Sequence, residues 1–597
     1  MARGADDRSD VATRPVTPRR AVASRWPLGV VLVAYAVLAF GVTWSWWTPL
    51  GGRITAINAT DATLFSWLLG WTPHALSSGQ LPLYSDRLNF PAGVNLMWNN
   101  GMVLPAVVFA PVTALFGGLG TVTVLTTLGM FGSAASAFGC LRALPIPGPP
   151  LQVLPAALGG ALFGFSPAMS AQALGHPNLV FNVLVPPLLL LSARLMTEPA
   201  PTRRTAVLLG VTAGAQVLIG EEVLFLTGIA VALLLVVLAA AHPRVARERA
   251  RVFGARAGLA LGVFLLVAGF PLGYQLFGPL SQQGSPFDTA YYSADLMGFV
   301  LPTELQALTT QGAVRQARGF AGGVEEHTNY LGWPLLIAVV VAMVEYRRRA
   351  AVWVPLLVGL LTAVLALGPR LTVLTVRTGI PLPWALLRGL PGFEHVIVTR
   401  FALLTAALFG AGLAVALDSA LRGRPAVRTA GLFVAVGALL PLLPAPLPGA
   451  PAPRVPEFFT ARAATELACP GGSALVLPFP RTQVAEPLLW QQASGMAFAM
   501  PGGYFIGPGP NGRAYVHGTP TRTGLLFAAV ARDGRPRPVT PQLRQYFADD
   551  LARWNVCAAV LGPGPNRDAL RAQATALIGR EPEAVDGVFL WRDLAAG

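Results

Sequence analysis

Apolar runs of about 20 residues recur along this chain from Trp26 to Leu443, and no other feature constrains its fold as strongly. A run of this length crosses the ~30 Å hydrocarbon core of a bilayer as one helix. Of the 597 residues, 54% are hydrophobic and only 12% are charged, whereas a soluble domain has about 25% charged residues. A single globular core stops growing near ~250–300 residues. We therefore predict a polytopic α-helical membrane protein.

The distribution of positive charge indicates how the chain is oriented. The formal net charge is +15, and all 43 basic residues are arginine, which is typical of a GC-rich bacterial gene. Many arginines form short clusters between the apolar runs, for example at residues 244–256 and 347–349. This pattern is typical of cytoplasmic loops in membrane proteins. We therefore expect no nucleic-acid partner, and we predict that the arginine-rich residues 1–25 form a cytoplasmic tail.

With these clusters inside, the chain is predicted to cross the plasma membrane about eleven times, with its amino terminus inside and its carboxy terminus outside. The membrane region covers residues 26–443, and its long first external loop covers residues 49–101. Met102–Phe116 is short and contains two prolines, so we expect a re-entrant or surface helix there instead of a span. The predicted spans are 26–47, 121–141, 153–168, 178–195, 206–220, 222–241, 257–279, 332–346, 351–368, 398–418 and 428–443.

The last quarter of the chain differs in composition. Residues 444–456, PAPLPGAPAPRVP, predict a stiff extended spacer. Residues 457–597 predict a small extracytoplasmic α/β domain without a catalytic triad, phosphate loop or metal-spacing motif, so we expect it to bind instead of to catalyse. Cys469 and Cys557 either form a disulfide or are two unpaired small hydrophobic residues. The predicted strands are 474–479, 557–561 and 587–591, and the predicted helices are 541–554 and 566–578.

Polar residues near a bilayer are the best candidates for function, because the membrane disfavours them. In the first external loop, Asp61 follows Thr60 at a predicted helix start, where it is either functional or a plain helix cap. An apolar stripe on that helix is predicted to lie on the membrane surface. The stripe consists of Leu64, Trp67, Leu68 and Trp71, and the polar residues Asp86 and Arg87 follow it.

Three further groups of polar residues lie in predicted external turns. Each carboxylate of the Glu221-Glu222 pair would cost roughly 2.5–3.5 kcal/mol inside the membrane, so we expect the pair to face a polar cavity shared with the first loop. External arginines run against the orientation rule, so they indicate either an anionic ligand or interfacial snorkelling. The other residues of these groups are His176, Asn178, Arg315, Arg318, Glu325, Glu326, His327, Arg388, Glu394, His395 and Arg400.

This arrangement resembles the GT-C superfamily of membrane glycosyltransferases. Members have an inside amino terminus and a long first external loop with an acidic residue near its start. Here the acid is Asp61, and HALSSGQLPLYSDRLNFPAGVNL resembles the region that follows it. FSPAMSAQALGHPN falls where many members have a second polar site. Many members also have two adjacent acids in the loop, whereas Asp61 stands alone, so no cofactor is expected and a divalent metal stays an alternative.

The resemblance implies transfer of a sugar from a polyprenyl-phosphate donor to an exported acceptor, such as an envelope glycan or glycolipid. Asp61 would be the catalytic base. The substrate-binding residues would be Asp86, Arg87, His176, Asn178, Glu221, Glu222, Arg388, His395 and Arg400, and arginine would neutralise the leaving phosphate. Two alternatives stay open, namely a lipid or glycolipid transporter or flippase and a non-catalytic envelope scaffold. The polar residues cluster at the predicted outer face without an internal repeat, which favours transfer over transport.

Overall fold

Helices dominate the chain up to Leu439 in the computed structural model, which describes residues 26–198 and 202–594. The predicted cytoplasmic tail, residues 1–25, lies outside the described residues. The helices of this part are α1 (Trp26–Thr43), α2 (Ala59–Ser77), α3 (Val103–Val108), α4 (Ala110–Arg142), α5 (Val153–Gly164), α6 (Pro167–Gln172), α7 (Pro177–Val180), α8 (Val185–Thr197), α9 (Arg203–Val217), α10 (Glu221–Ala241), α11 (Pro243–Phe277), α12 (Gln311–Ala317), α13 (Gly332–Glu345), α14 (Ala350–Ala366), α15 (Trp384–Leu387), α16 (Phe401–Leu421) and α17 (Pro425–Leu439).

The protein is a membrane protein. Within residues 26–198 and 202–594, seven helices are long and apolar enough to cross a bilayer, and three shorter apolar helices accompany them. Large apolar side chains point outward from these helices; Leu266 and Phe277 of α11, for example, are each 86% exposed. Such a surface is stable in lipid and not in water. The polytopic helical architecture is therefore confirmed, while the count of about eleven spans stays a prediction.

The stretch Met102–Phe116 does not form one straight helix. Its first part is the short helix α3, and the rest is separated from the long part of α4 by Gly117, whose φ of 68° and ψ of 176° break the helix. Glycine reaches this backbone conformation without steric penalty. The prediction that this stretch is not a straight span is confirmed, and its position relative to the membrane stays a prediction.

A four-stranded sheet forms the centre of the carboxy-terminal part. Its order is β11-β12-β10-β7, with β7 and β10 parallel and the other pairs antiparallel. The predicted strands and helices are found within two residues of their expected bounds. The strands of the whole chain are β1 (Arg53–Thr55), β2 (Tyr84–Ser85), β3 (Val94–Asn95), β4 (Arg370–Val373), β5 (Val376–Pro381), β6 (Gly449–Pro451), β7 (Ser473–Leu477), β8 (Ile506–Pro508), β9 (Ala514–Val516), β10 (Val556–Leu561), β11 (Glu583–Val585) and β12 (Val588–Trp591). The helices of this part are α18 (Glu457–Ala461), α19 (Ala463–Glu466), α20 (Glu486–Ala493), α21 (Arg522–Asp533), α22 (Pro541–Arg553) and α23 (Arg567–Ile578).

The apolar stripe of α2 packs inside the protein and not on a membrane surface, so that prediction is wrong. Trp67 and Trp71 are fully buried in a core that also contains Phe459 and Trp490 of the carboxy-terminal part. The Trp67 indole donates a hydrogen bond of 2.6 Å to Gln491 Oε1. An amphipathic pattern has the same period whether its apolar face meets lipid or protein, so the sequence could not separate the two.

The proline-rich linker, residues 444–456, is extended as predicted but does not act as a free spacer. Its strand β6 pairs antiparallel with β1 of the first loop. The Leu447 amide donates to the Val42 carbonyl at 2.8 Å, and the Trp46 indole donates to the Pro448 carbonyl at 3.2 Å. Because proline lacks an amide hydrogen, only the non-proline residues of the linker donate to its neighbours. The linker therefore fixes the carboxy-terminal part onto the membrane region.

Candidate active site

Asp61 lies in the first turn of α2, and its carboxylate is not the helix cap. The cap is Asn58, whose side-chain oxygen accepts from the Asp61 amide at 3.4 Å. The Asn58 amide group also donates to Asp61 Oδ2 at 2.7 Å. The alternative in which Asp61 is a plain cap is therefore wrong, because asparagine two positions before Thr60 already fills that role. The carboxylate is left for other partners.

Two distant parts of the chain supply those partners. His176, between α6 and α7, places Nε2 2.9 Å from Asp61 Oδ2. Tyr504, between α20 and β8, donates its hydroxyl to Asp61 Oδ1. The His176 turn comes close to α2 because the preceding residue is Gly175, with φ of 153°, where a Cβ would lie only 2.9 Å from the Asn58 carbonyl oxygen. Asp61 therefore joins three segments of the chain.

These partners hold Asp61 in its charged form. Burial raises the pKa of Asp61, but the hydrogen bond and charge of His176, followed by hydrogen bonds from Tyr504 and Asn58, lower it to about 2. Burial and the negative charge of Asp61 raise the pKa of Tyr504 well above its ordinary value. At neutral pH the pair is thus a carboxylate that accepts from a protonated hydroxyl.

A second group of charges surrounds Arg400 at the start of α16. Arg400 Nη1 pairs with Glu222 Oε2, and Arg400 Nη2 lies 2.6 Å from Glu326 Oε1. The Glu326 side chain is only 3% exposed and also accepts from Gln172 at 3.2 Å and from Thr399 at 3.1 Å. Burial raises the pKa of Glu326, whereas the charge and hydrogen bonds of Arg400 lower it. The lowering effects are together the larger, so the net shift is downward. We call Arg400, Glu222 and Glu326 the arginine triad.

One short segment connects the arginine triad with Asp61. Gln172, which donates to Glu326, lies four residues before His176, which contacts Asp61. The charge of His176 also contributes to the low pKa of Glu326. The two groups therefore form one site, built on α2, the α6–α7 segment, α10, α16 and the residues around Tyr504.

Several buried polar atoms of this site accept or donate no hydrogen bond to any described residue. They are His176 Nδ1, Asn178 Oδ1, Gln172 Oε1 and Glu222 Oε1. Asn178 lies next to Gly220, whose added Cβ would be 3.7 Å from the Asn178 side chain, and so next to the start of α10. A polar ligand gains most binding free energy by forming hydrogen bonds with buried polar groups that have no protein partner.

The Glu221-Glu222 pair splits between two surroundings. Glu222 belongs to the arginine triad, whereas Glu221 accepts from Gln275 of α11 at 3.3 Å. Gln275 also donates to the carbonyl of Met97 in the first external loop at 3.1 Å. Successive residues of a helix point about 100° apart, so two adjacent glutamates reach different neighbours. A polar cavity shared by both stays a prediction.

Other predicted site residues lie elsewhere. Within the described part of the chain, no hydrogen bond or ion pair joins Asp86, Arg87, Arg388 or His395 to Asp61. Asp86 and Arg87, 3.8 Å apart, follow the far end of α2, which is roughly 28 Å long at 1.5 Å per residue. Arg388 is exposed, and His395 packs against Trp98 with ring centroids 5.5 Å apart. A role for these four residues in substrate binding stays a prediction.

The sequence did not point to Tyr504, Asn58 or Gln172 as site residues, and it pointed to Glu326 as an unusual polar residue without a role in substrate binding. The Tyr504–Asp61 contact joins residues 443 positions apart, so no local pattern could indicate it. For Glu326, the signal was its position in an external loop together with His327 and two arginines. No group of three or more histidine, cysteine, aspartate or glutamate side chains suited to hold a metal ion is found among the residues that the structure describes.

The family described as "Domain of unknown function (DUF6311)" matches residues 28–436. Among solved structures, the mycobacterial arabinofuranosyltransferase AftD aligns with a TM-score of 0.53 and 17% identity, over 96% of this chain and 40% of that one. The oligosaccharyltransferase AglB from Archaeoglobus fulgidus, in complex with an inhibitory peptide and a dolichol-phosphate, aligns with a TM-score of 0.46 and 12% identity over 93% of this chain and 71% of that one. ArnT from Cupriavidus metallidurans bound to undecaprenyl phosphate aligns with a TM-score of 0.43 and 14% identity, over 96% of this chain and 100% of that one.

This chain thus spans less than half the length of AftD. No curated protein matches it in sequence. At 17% identity, the likeness to AftD concerns the fold alone. It confirms the resemblance read from the sequence, namely the GT-C fold of membrane glycosyltransferases.

Proposed function

The chain belongs to the DUF6311 family, whose description assigns no activity, and we propose from its own site that it is a membrane glycosyltransferase. It would move one sugar from a polyprenyl-phosphate donor to an exported cell-envelope acceptor, with Asp61 as the base. The observation that carries this proposal is the convergence of three chain segments on the Asp61 carboxylate, beside polar atoms without protein partners. A purely structural site would leave few buried polar atoms without a partner, whereas four such atoms lie here.

The reaction is a displacement at the anomeric carbon of the donor sugar. An acceptor hydroxyl oxygen forms the new bond, the bond to the lipid phosphate breaks, and the phosphate leaves with the electron pair. The hydroxyl proton goes to Asp61, which is ionised and therefore able to accept it. His176 holds Asp61 Oδ2, so that Oδ1 is the oxygen turned toward a substrate.

Arg400 fits a positioning role better than contact with the leaving phosphate. Its guanidinium already faces two carboxylates, Glu222 and Glu326, so little of its charge is left for a third anion. This differs from the expectation based on sequence. Arg388, which is exposed, is the better candidate to neutralise the phosphate.

We place the carboxy-terminal part outside the cytoplasm, as the arginine distribution predicts. A disulfide between Cys469 and Cys557, with Cα atoms 6.3 Å apart, supports this, because disulfides persist in oxidising compartments. A reporter that is active only outside the cytoplasm, fused after Leu594, should be active. Activity of a cytoplasm-only reporter at the same position would reverse the proposed orientation.

The function is tested in two steps. A strain that lacks the gene should accumulate a lipid-linked sugar, which identifies the donor. The purified full chain in detergent should then transfer labelled sugar from that donor to an extract of envelope glycans and glycolipids. A flippase would move the donor across the membrane of vesicles without breaking its sugar–phosphate bond. A scaffold would neither move the donor nor transfer its sugar. Either result would contradict the proposal.

A further inference from the structure

Tyr504 contacts the one carboxylate that the proposed reaction uses, although it belongs to a part of the chain with no predicted catalytic role. Its hydroxyl donates to Asp61 Oδ1. The other carboxylate oxygen already accepts from Asn58 at 2.7 Å and from His176 at 2.9 Å. A carboxylate oxygen accepts about two hydrogen bonds, so Oδ2 is filled and Oδ1 is the oxygen that an acceptor hydroxyl must approach. Tyr504 stands at that oxygen.

The backbone on both sides of Tyr504 is fixed to the first external loop. The Met500 amide donates to the Arg87 carbonyl at 3.0 Å, and the Asn89 amide donates to the Gly502 carbonyl at 3.2 Å. After Tyr504, the Ile506 amide donates to Asn99 Oδ1 at 2.6 Å. The backbone around Tyr504 is therefore held in place, so the contact with Asp61 depends on the orientation of the Tyr504 side chain.

Asp61 is a weak base while all three donors are present, because each of them stabilises its charged form. Removal of one donor makes the carboxylate more basic. Water meets a weak base as long as the Tyr504 contact is intact. A substrate hydroxyl that replaces the Tyr504 hydroxyl would meet a stronger base. Neither Tyr504 nor Asp61 is fully buried, as both are partly exposed.

We propose that the Tyr504 hydroxyl takes one of the two hydrogen-bonding places on Asp61 Oδ1 and keeps this carboxylate a weak base, so that it does not activate water against the donor while no acceptor is bound. This inference rests on the proposed function. The reaction it suppresses is hydrolysis. A water oxygen attacks the anomeric carbon, the bond to the phosphate oxygen breaks, and the lipid phosphate leaves with the electron pair. The water proton goes to Asp61, and the products are free sugar and polyprenyl phosphate.

The test compares wild type, Tyr504→Phe and Tyr515→Phe as purified full-length proteins. Tyr515 is an exposed tyrosine on β9 of the same segment, so its variant is the matched control. The donor probes are labelled arabinofuranosyl, mannosyl and glucosyl undecaprenyl phosphates, and the acceptor probes are the octyl glycosides of the same sugars. Release of free sugar is measured without acceptor, and transfer is measured with acceptor.

The ratio of hydrolysis to transfer should rise about tenfold in Tyr504→Phe, which corresponds to the loss of one hydrogen bond to a charged group. It should be unchanged in Tyr515→Phe. A parallel fall of both rates in Tyr504→Phe would make Tyr504 a positioning residue and overturn the inference, and so would an unchanged ratio. Thermal unfolding curves show whether each variant is folded, and Tyr504→Leu, which also lacks the hydroxyl, must give the same ratio as Tyr504→Phe. A wild type that transfers neither these probes nor the lipid-linked sugar that accumulates in the deletion strain would refute the proposed function itself, and the inference with it.

Discussion

Asp61 and the arginine triad are two ways of providing carboxylates with partners in one partly buried site. Asp61 accepts hydrogen bonds from Asn58, His176 and Tyr504, whereas Glu222 and Glu326 share a single arginine. A hydrogen-bond donor can be exchanged for a substrate group at small cost. A buried arginine cannot leave without exposing two carboxylates to each other. The difference teaches that Asp61 is suited to chemistry and the triad to holding the site in shape.

The largest expected effect is on Asp61. The Asp61→Asn variant cannot accept a proton, so sugar transfer should fall roughly 10²–10⁴-fold. The free energy of unfolding should fall by only about 1–3 kcal/mol. The Asn58 cap remains, and the main cost is that the NH₂ group of the introduced side chain faces other hydrogen-bond donors. Transfer and chemical denaturation in detergent are measured together, with Asp549→Asn on the exposed face of α22 as the control. Near-normal transfer by Asp61→Asn would remove Asp61 as the base.

Substitutions in the arginine triad should lower the stability of the protein more than its transfer activity. Arg400→Met leaves two buried carboxylates without their cation, so we expect a loss of about 3–5 kcal/mol in unfolding free energy. The triple variant Glu222→Gln, Arg400→Met, Glu326→Gln should recover more than half of that loss, because it removes the uncompensated charges. Denaturation of both variants is compared with wild type. If Arg400→Met alone is as stable as wild type, the triad does not hold the site.

Acid pH should separate the two centres further. The pKa of Asp61 is lowered from 3.8 to about 2 in the fold. Its hydrogen bonds therefore stabilise the folded protein fully above about pH 4, and this contribution, about 2 kcal/mol, is lost as the pH falls toward 2. The stability difference between wild type and Asp61→Asn should shrink by roughly two thirds of that amount between pH 5 and pH 2.5, because a group with a folded pKa of about 2 is still partly ionised at pH 2.5. A difference that stays constant over this range would show that the carboxylate is not held in this way.

The smallest effect concerns the two adjacent glutamates. Glu222→Gln loses an ion pair with Arg400, at a cost of about 1–3 kcal/mol. Glu221→Gln keeps an oxygen that accepts from Gln275, so its cost should stay below about 1 kcal/mol. The double variant should impair transfer more than it impairs expression. The reverse order of the two single variants would contradict the assignment of Glu222 to the triad.

Local sequence patterns predicted the helices and strands of this protein better than the contacts between them. Long apolar runs predicted the helices of the membrane region, and short continuous apolar runs predicted β7, β10 and β12, because such runs depend on neighbouring residues only. Asp61, His176, Glu222 and Arg400 were each named from sequence as unusual polar residues. Their division into two centres was not predictable, because it depends on contacts across more than 100 residues.

The same limit explains the wrong environment of the α2 stripe and the unpredicted pairing of the linker. The sequence shows that the α2 face is apolar and that the linker is extended, without showing what either of them touches. Both partners lie about 400 residues away along the chain. Tyr504 was missed for this reason as well.

The contact between α2 and the carboxy-terminal part has a consequence for biosynthesis. Trp67 and its hydrogen-bond partner Gln491 are 424 residues apart. At a synthesis rate of ~5–20 residues per second, the ribosome needs roughly 20–85 s to make the second partner after the first. During that interval the tryptophans of α2 lack the surface that covers them in the mature protein. The candidate site is therefore among the last parts of the molecule to be completed, and a nascent chain stalled before Gln491 lacks Tyr504.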